Sequence, residues 1–188
     1  MKLDKLAKNI MDKQKKNIAL MGHMGSGKSV LGKLISKQLN FNHVDSDKLI
    51  EKKSNKTINE IFQTKGESYF RLIEENVILE TIYQKKLVLS LGGGSILSPK
   101  IRKALKGNFL TVFLDVDFAI LSKRLIKSKR RPLINDTNIE EKIKELDAIR
   151  RKFYLLADIT LKNHLTITDA LAEFRKKYIE FYEKYNSN

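Results

Sequence analysis

The 188-residue sequence predicts an α/β domain in three layers, a five-stranded parallel sheet between two layers of helices. Three observations predict it. Five short runs rich in Val, Ile and Leu alternate with longer helical patterns, as strands do when helices cover both faces of a parallel sheet. The first run leads directly into a glycine-rich loop followed by a helical pattern. The later runs at 41–45 and 87–91 also end in carboxylates or glycines, and in such sheets a ligand sits beyond the carboxyl ends of the strands.

The predicted strands are residues 17–21, 41–45, 87–91, 110–114 and 158–161. Helical periodicity covers 28–39, 58–62, 67–83, 99–105, 118–127 and 139–157. The ends add two further helices. Residues 1–16 carry Leu3, Leu6, Ala7, Ile10 and Met11 at helical spacing among lysines, a basic amphipathic extension. Residues 168–185 carry Ala170, Leu171, Phe174, Tyr178, Phe181 and Tyr185 roughly on one side. With only Pro99 and Pro132 and no repeat or low-complexity linker, the chain reads as a single domain.

Composition narrows the function classes. Apolar residues make up 41% and charged residues 31%, an ordinary globular balance. The absence of cysteine excludes disulfides, thiol catalysis and thiolate-bound metals. No apolar run approaches the ~20 residues of a membrane span, and the N-terminus lacks the apolar core of a secretion signal. The expectation is a cytoplasmic protein with no membrane partner. The formal charge of +15 comes from 29 Lys and 8 Arg spread over the whole length. That spread reads as compositional drift, so no nucleic-acid partner is expected; anionic small substrates fit the same charge.

The first run ends in Gly22-His23-Met24-Gly25-Ser26-Gly27-Lys28-Ser29, a G-x-x-x-x-G-K-S loop between strand and helix. Its glycines let backbone N–H groups turn toward a phosphate, and the following helix aims its positive end at the same anion. Lys28 reaches the terminal phosphates and Ser29 offers its hydroxyl to Mg²⁺. His23 reads as a spacer. A guanine-reading Asn-Lys-x-Asp is absent, and the chain is short for a mechanical ATPase, which leaves a small phosphotransferase.

The acceptor side is read from four further places. Asp45 and Asp47, two apart on an extended strand, point the same way. One suits a Mg²⁺-bound water, the other a substrate hydroxyl. Gly92-Gly93-Gly94 lets a ligand approach the backbone closely. Arg71 and Glu74 are three apart on a helix, so a carboxylate holds an arginine whose planar fork suits a substrate carboxylate. Residues 127–133, Lys-Ser-Lys-Arg-Arg-Pro-Leu, form a basic connection suited to a lid over phosphates.

Together these motifs, in order from residue 18 to about 161, resemble the shikimate kinase family: the loop 22–29, Asp45-x-Asp47, Ile61-Phe62 with Gly66-Glu67, Phe70-Arg71 with Glu74, Gly92-Gly93-Gly94, and Arg131-Pro132-Leu133. The resemblance implies a P-loop kinase with a small substrate-binding lobe near 46–75 and a lid near 124–138. It implies ATP-dependent, Mg²⁺-requiring phosphorylation of the 3-hydroxyl of shikimate, in aromatic amino-acid synthesis, by a monomer. By the same likeness Gly25, Ser26, Gly27, Lys28, Ser29, Val30, Arg124 and Arg131 bind ATP, with Arg124 near the adenine. Ser29 touches the metal directly and Asp45 through water. Asp47 binds the reacting hydroxyl, Arg71 grips the acceptor carboxylate with Glu74 orienting it, and Gly92, Gly93 and Gly94 line the ring. Lys28, Asp47 and Arg131 carry the catalysis.

The helix after the lid departs from the family pattern of arginine, tyrosine and alanine at successive spacings of four. Arg150 is four before Tyr154, but Ala157 follows after three. The second acceptor arginine is therefore Arg150 or Arg151, with Arg150 favoured and Arg151 expected toward solvent or the lid. Val30 stands where the family often has threonine. Asp115, ending an apolar run, is a second Mg²⁺-associated candidate ranked below Asp45.

Overall fold

A computed structural model of the chain describes residues 16–127, 138–162 and 166–186. Five strands, β1 (Asn17–Met21), β2 (Asn42–Asp45), β3 (Leu87–Ser90), β4 (Phe109–Asp115) and β5 (Ile159–Lys162), form one sheet in the order β2-β3-β1-β4-β5. Every pairing is parallel, and Ala19 of β1 lies opposite Leu89 on one side and Thr111 on the other. The predicted α/β architecture and strand count hold.

The helices are α1 (Lys28–Leu39), α2 (Ser46–Ser54), α3 (Ile58–Thr81), α4 (Pro99–Leu105), α5 (Phe118–Ile126), α6 (Ile139–Tyr154) and α7 (Ile167–Asn186), with a 3₁₀ turn at Ser95–Leu97. Because side chains alternate along a strand, β1 feeds two cores. Ile18 and Leu20 pack with Leu31 and Ile35 of α1 and with Phe174, Tyr178 and Tyr182 of α7. Ala19 and Met21 pack on the opposite face with Ile78 of α3, Ile101 of α4 and Tyr154 of α6. None of the described helices is long and apolar enough to cross a membrane.

Several boundaries differ from expectation. Helix α2 was not anticipated: of its nine residues only Ser46 and Ile50 are buried, too few to give a helical stripe. Asp45 and Asp47 consequently do not share an extended strand. Asp45 is the N-cap of α2, its carboxylate accepting from the Lys48 N–H at 3.3 Å, and Asp47 sits in the first helical turn. The patterns at 58–62 and 67–83 are one helix kinked at Gly66, whose φ of 78° breaks the helical path. A capping box of Thr57 and Glu60 starts it. Ile50, Ile61, Phe70 and Val77 form a small core of their own between α2 and α3. Helix α6 ends at Tyr154, three residues short of the periodicity. In α7 the fully buried position is Tyr182, one residue on from Phe181, because Ala170, Phe174, Tyr178 and Tyr182 repeat every four. The predicted helix at 1–16 lies outside the described residues except Lys16, and so do Arg131, Pro132 and Leu133 with most of the lid near 124–138.

Candidate active site

The phosphate loop joins the central strand β1 to α1, at the carboxyl end of the sheet. Gly25 and Gly27 adopt φ of 77° and 97°, a left-handed backbone that side-chain-bearing residues rarely take. Gly27 is also the N-cap of α1 and offers no side-chain acceptor, so the first N–H groups of the helix face outward for an anion. The Lys28 ammonium donates to the carbonyls of Gly22 at 2.8 Å and His23 at 2.7 Å, arching back over the loop. Ser26 is buried within the loop, and Val30 is half-exposed at its edge. Arg124 of α5 donates to the Gly25 carbonyl at 3.1 Å, which puts its guanidinium on the loop.

Ser29 donates its hydroxyl to the Asp45 carboxylate. These are hard oxygen donors, and Mg²⁺ is commonly held by one or two protein oxygens plus phosphates and water. The pair therefore fits a nucleotide-bound Mg²⁺. Asp115, the other candidate, is occupied differently: it takes Arg151 at 3.1 Å.

Beside the loop lies a cavity of about 770 Å³ between α2, α3, the glycine run and α6, lined among others by Ser29, Asp45, Asp47, Arg71, Glu74 and Arg150. Arg71 donates to Glu74 at 2.7 Å and to Glu67 at 3.0 Å, and its guanidinium lies 5.1 Å from the centre of the Phe70 ring. Glu74 is almost wholly buried and also accepts from Ser95 at 2.6 Å. Burial pushes the Glu74 carboxyl above its ordinary value, and Arg71 and Ser95 counter this only in part. Burial also works against the Arg71 charge, but Glu74 and Glu67 outweigh it and raise its pKa.

Two of the three glycines, Gly92 and Gly94, make this packing possible. A Cβ on Gly92 would lie 2.5 Å from Glu74 Oε1 and 2.7 Å from Asp47 Oδ1. One on Gly94 would lie 2.5 Å from Arg71 Nη2 and 2.6 Å from its Cζ. At Gly93 the nearest neighbour is Arg150 Nη1 at 3.4 Å, and the Gly93 carbonyl accepts from the Tyr154 hydroxyl at 2.5 Å. The carboxylate, the two arginines and the bare backbone that the sequence pointed to thus converge on one cavity.

Arg150 and Arg151 diverge from adjacent helix positions. Arg150 is 6% exposed, lines the cavity, and has no hydrogen-bond partner for its Nε. Arg151 does not face solvent or lid alone: it bridges Asp115 at 3.1 Å and Asp147 at 3.4 Å. The spacing of residues along the chain does not reveal that His23 meets Asp147. The His23 ring is buried in the loop and hydrogen-bonds Asp147 of α6 at 2.8 Å. The available signal was for Asp147 alone, its spacing from Arg150, Arg151 and Tyr154, which share one helix face with it.

A family model for shikimate kinase matches residues 24–181. The chain belongs to the shikimate kinase family. A shikimate kinase of Thermoanaerobacter pseudethanolicus is 36% identical over 165 residues, covering 87% of this chain and 96% of that relative. Among solved structures, a shikimate kinase from Acinetobacter baumannii in complex with shikimate superposes with a TM-score of 0.82 at 32% identity, covering 93% of this chain and 95% of that one. A gluconokinase from Sinorhizobium meliloti also superposes, with a TM-score of 0.67, 92% of this chain and 96% of that one covered, at 18% identity. That last likeness is one of fold.

Proposed function

We propose that this chain transfers the terminal phosphoryl group of ATP to the 3-hydroxyl of shikimate, giving shikimate 3-phosphate and ADP. The observation that carries the reading is the convergence of Arg71, Arg150 and Asp47 on the glycine run, in a cavity adjoining the phosphate loop. A small ring acid with several hydroxyls needs a cationic fork for its carboxylate, an acceptor for its reacting hydroxyl and close access to backbone. Residues 46–75 act as the acceptor lobe, supported by their own small core, and residues 124–138 as the lid.

Phosphoryl transfer asks a protein for alignment and charge neutralisation more than for covalent chemistry. Asp47 accepts a hydrogen bond from the acceptor hydroxyl and receives its proton as the oxygen attacks phosphorus. The bond from that phosphorus to the ADP oxygen breaks on the opposite side. Lys28 and the loop N–H groups neutralise the phosphate charge, with Arg131 joining from the lid. Ser29 and Asp45 would hold Mg²⁺, which neutralises phosphate charge when bound. Glu74 keeps the Arg71 fork aimed at the acceptor carboxylate.

The reaction run with ATP, Mg²⁺ and shikimate is expected to give one ADP per shikimate consumed, with a phosphate monoester at ring position 3 by NMR of the product. Excess EDTA abolishes it. ADP release that proceeds equally without shikimate, or phosphate on another hydroxyl, contradicts the assignment.

A second expectation separates the adjacent arginines. A charge-assisted contact to a carboxylate is worth about 1.5–3 kcal/mol, roughly ten- to a hundredfold in kcat/KM. Arg150→Ala should lose that factor for shikimate with little change for ATP. Arg151→Ala should act instead through stability, since its partners are protein carboxylates. The reverse pattern moves the acceptor contact to Arg151.

A further inference from the structure

His23 holds the second position of the phosphate loop. Its imidazole is 4% exposed and points away from the nucleotide side, into the interface with α6. There its Nε2 meets Asp147 Oδ1 at 2.8 Å, across 124 residues of sequence, and Asp147 is itself only 6% exposed. The ring stands edge-on to Tyr154 with centroids 5.3 Å apart and to Phe118 at 6.5 Å. Neither His23 nor Asp147 lines the acceptor cavity.

Each end of this contact is tied to one substrate site. On the loop side, the His23 carbonyl accepts from the Lys28 ammonium at 2.7 Å. On the helix side, Asp147, Arg150, Arg151 and Tyr154 occupy positions i, i+3, i+4 and i+7, one face of α6. Arg150 on that face enters the acceptor cavity, Tyr154 holds the Gly93 carbonyl, and Arg151 anchors Asp147 to Asp115 of β4. The point 3.4 Å from Arg150 Nη1 at which a Gly93 Cβ would sit is also 3.4 Å from the Gly22 carbonyl oxygen and 3.6 Å from the Met24 nitrogen, the two residues flanking His23. Arg150 and the loop residues on either side of His23 thus border the same point beside the Gly93 backbone.

We propose that His23 is a positioning residue: its hydrogen bond to Asp147 sets the phosphate loop against the face of α6 that carries Arg150, and so fixes the phosphoryl donor relative to the acceptor. This inference rests on the acceptor role given above to Arg150. Burial holds the imidazole below its ordinary pKa, and the nearby Arg150 and Lys28 charges act in the same direction against the opposing pull of Asp147. The neutral ring then carries its proton on Nε2 and donates it to the Asp147 carboxylate. Arg151 supplies Asp147 with its second donor, so the carboxylate is not left unpaired inside the protein.

The consequence is kinetic. Each substrate keeps its own contacts when the strut is lost, so binding changes little. Transfer needs the two sites in register, and a misplacement of about 1 Å from a change remote from the chemistry can cost on the order of 10²-fold.

The test compares His23→Phe, which keeps an aromatic ring against Tyr154 and Phe118 but no donor, with His23→Gln, whose side-chain N–H reaches the place of Nε2. His23→Phe is expected to lower kcat at least about tenfold while KM for ATP and for shikimate each stay within about threefold. His23→Gln is expected to recover kcat to within about threefold of the wild type. Adding Asp147→Ala to His23→Phe should cost no more than the worse single variant, because the two residues act as a unit. His23→Leu replaces His23→Phe if the latter fails to fold by circular dichroism. Unchanged kcat in the donor-less variant overturns the proposal. So do a glutamine variant no better than phenylalanine, and a rise in KM that accounts for the whole loss. The wild-type control reads the functional assignment separately, since its shikimate-dependent ADP release does not depend on how the variants compare.

Discussion

Replacing Lys28 by alanine is expected to lower kcat by about 10²–10³-fold, the usual cost of one preorganised charge contact to a transition state. Lys28 is the only ammonium held inside the phosphate loop among the described residues, with carbonyl partners at 2.8 and 2.7 Å that aim it before any substrate arrives. Charge develops on the oxygen that leaves with ADP as its bond to phosphorus breaks, so the loss falls on kcat more than on the affinity for ATP. The fold should survive. The two carbonyls released, of Gly22 and His23, are buried, so some stability is lost with the ammonium, but the sheet beneath still packs through Ile18, Ala19, Leu20 and Met21. Steady-state kinetics on a variant whose thermal midpoint has been checked decides the matter. A folded Lys28→Ala enzyme with near-normal kcat removes Lys28 from its assigned role.

Gly94→Ala should be nearly as damaging for a different reason. The added Cβ would fall 2.6 Å from Arg71 Cζ, a distance no real contact sustains. What yields is the guanidinium, at the end of a flexible side chain, rather than the backbone of the glycine run. Moving it breaks the 2.7 Å bond to Glu74 and turns the fork away from the acceptor carboxylate. The expected result is a folded protein whose kcat/KM for shikimate drops roughly ten- to a hundredfold, matching Arg71→Ala, with KM for ATP little changed. Arg71→Ala combined with Gly94→Ala should be no worse than either alone, since both remove the same contact. Strict additivity would mean that Gly94 acts by some route other than Arg71.

Much of this site was legible in the sequence because its parts are local. The glycine-rich loop, the glycine run and the Arg71–Glu74 pair each sit within a few residues, and the apolar runs before two of them identify strands. That Arg150 rather than Arg151 lines the cavity was favoured only by the family's arginine-to-tyrosine spacing, which Arg150 keeps with Tyr154. What was not legible depends on distance along the chain or on weak patterning. Helix α2 buries only Ser46 and Ile50, so periodicity had nothing to register, and its cap, Asp45, doubles as the last residue of β2. The ion pair of Arg151 with Asp115 spans 36 residues and the bond from His23 to Asp147 spans 124. Neither partner announces the other. A histidine between glycines reads as a spacer until the helix that covers it is in place.

The measurement that bears most directly on the account is ADP release with three acceptors side by side: shikimate, its methyl ester and gluconate. The account assigns acceptor selection to Arg71 and Arg150 acting on a ring carboxylate above Gly92, Gly93 and Gly94. It predicts rapid release with shikimate, kcat/KM at least about tenfold lower with the ester, where the charge-assisted contacts are weakened, and background release with gluconate. Equal turnover of shikimate and its methyl ester, or gluconate matching shikimate, would contradict it.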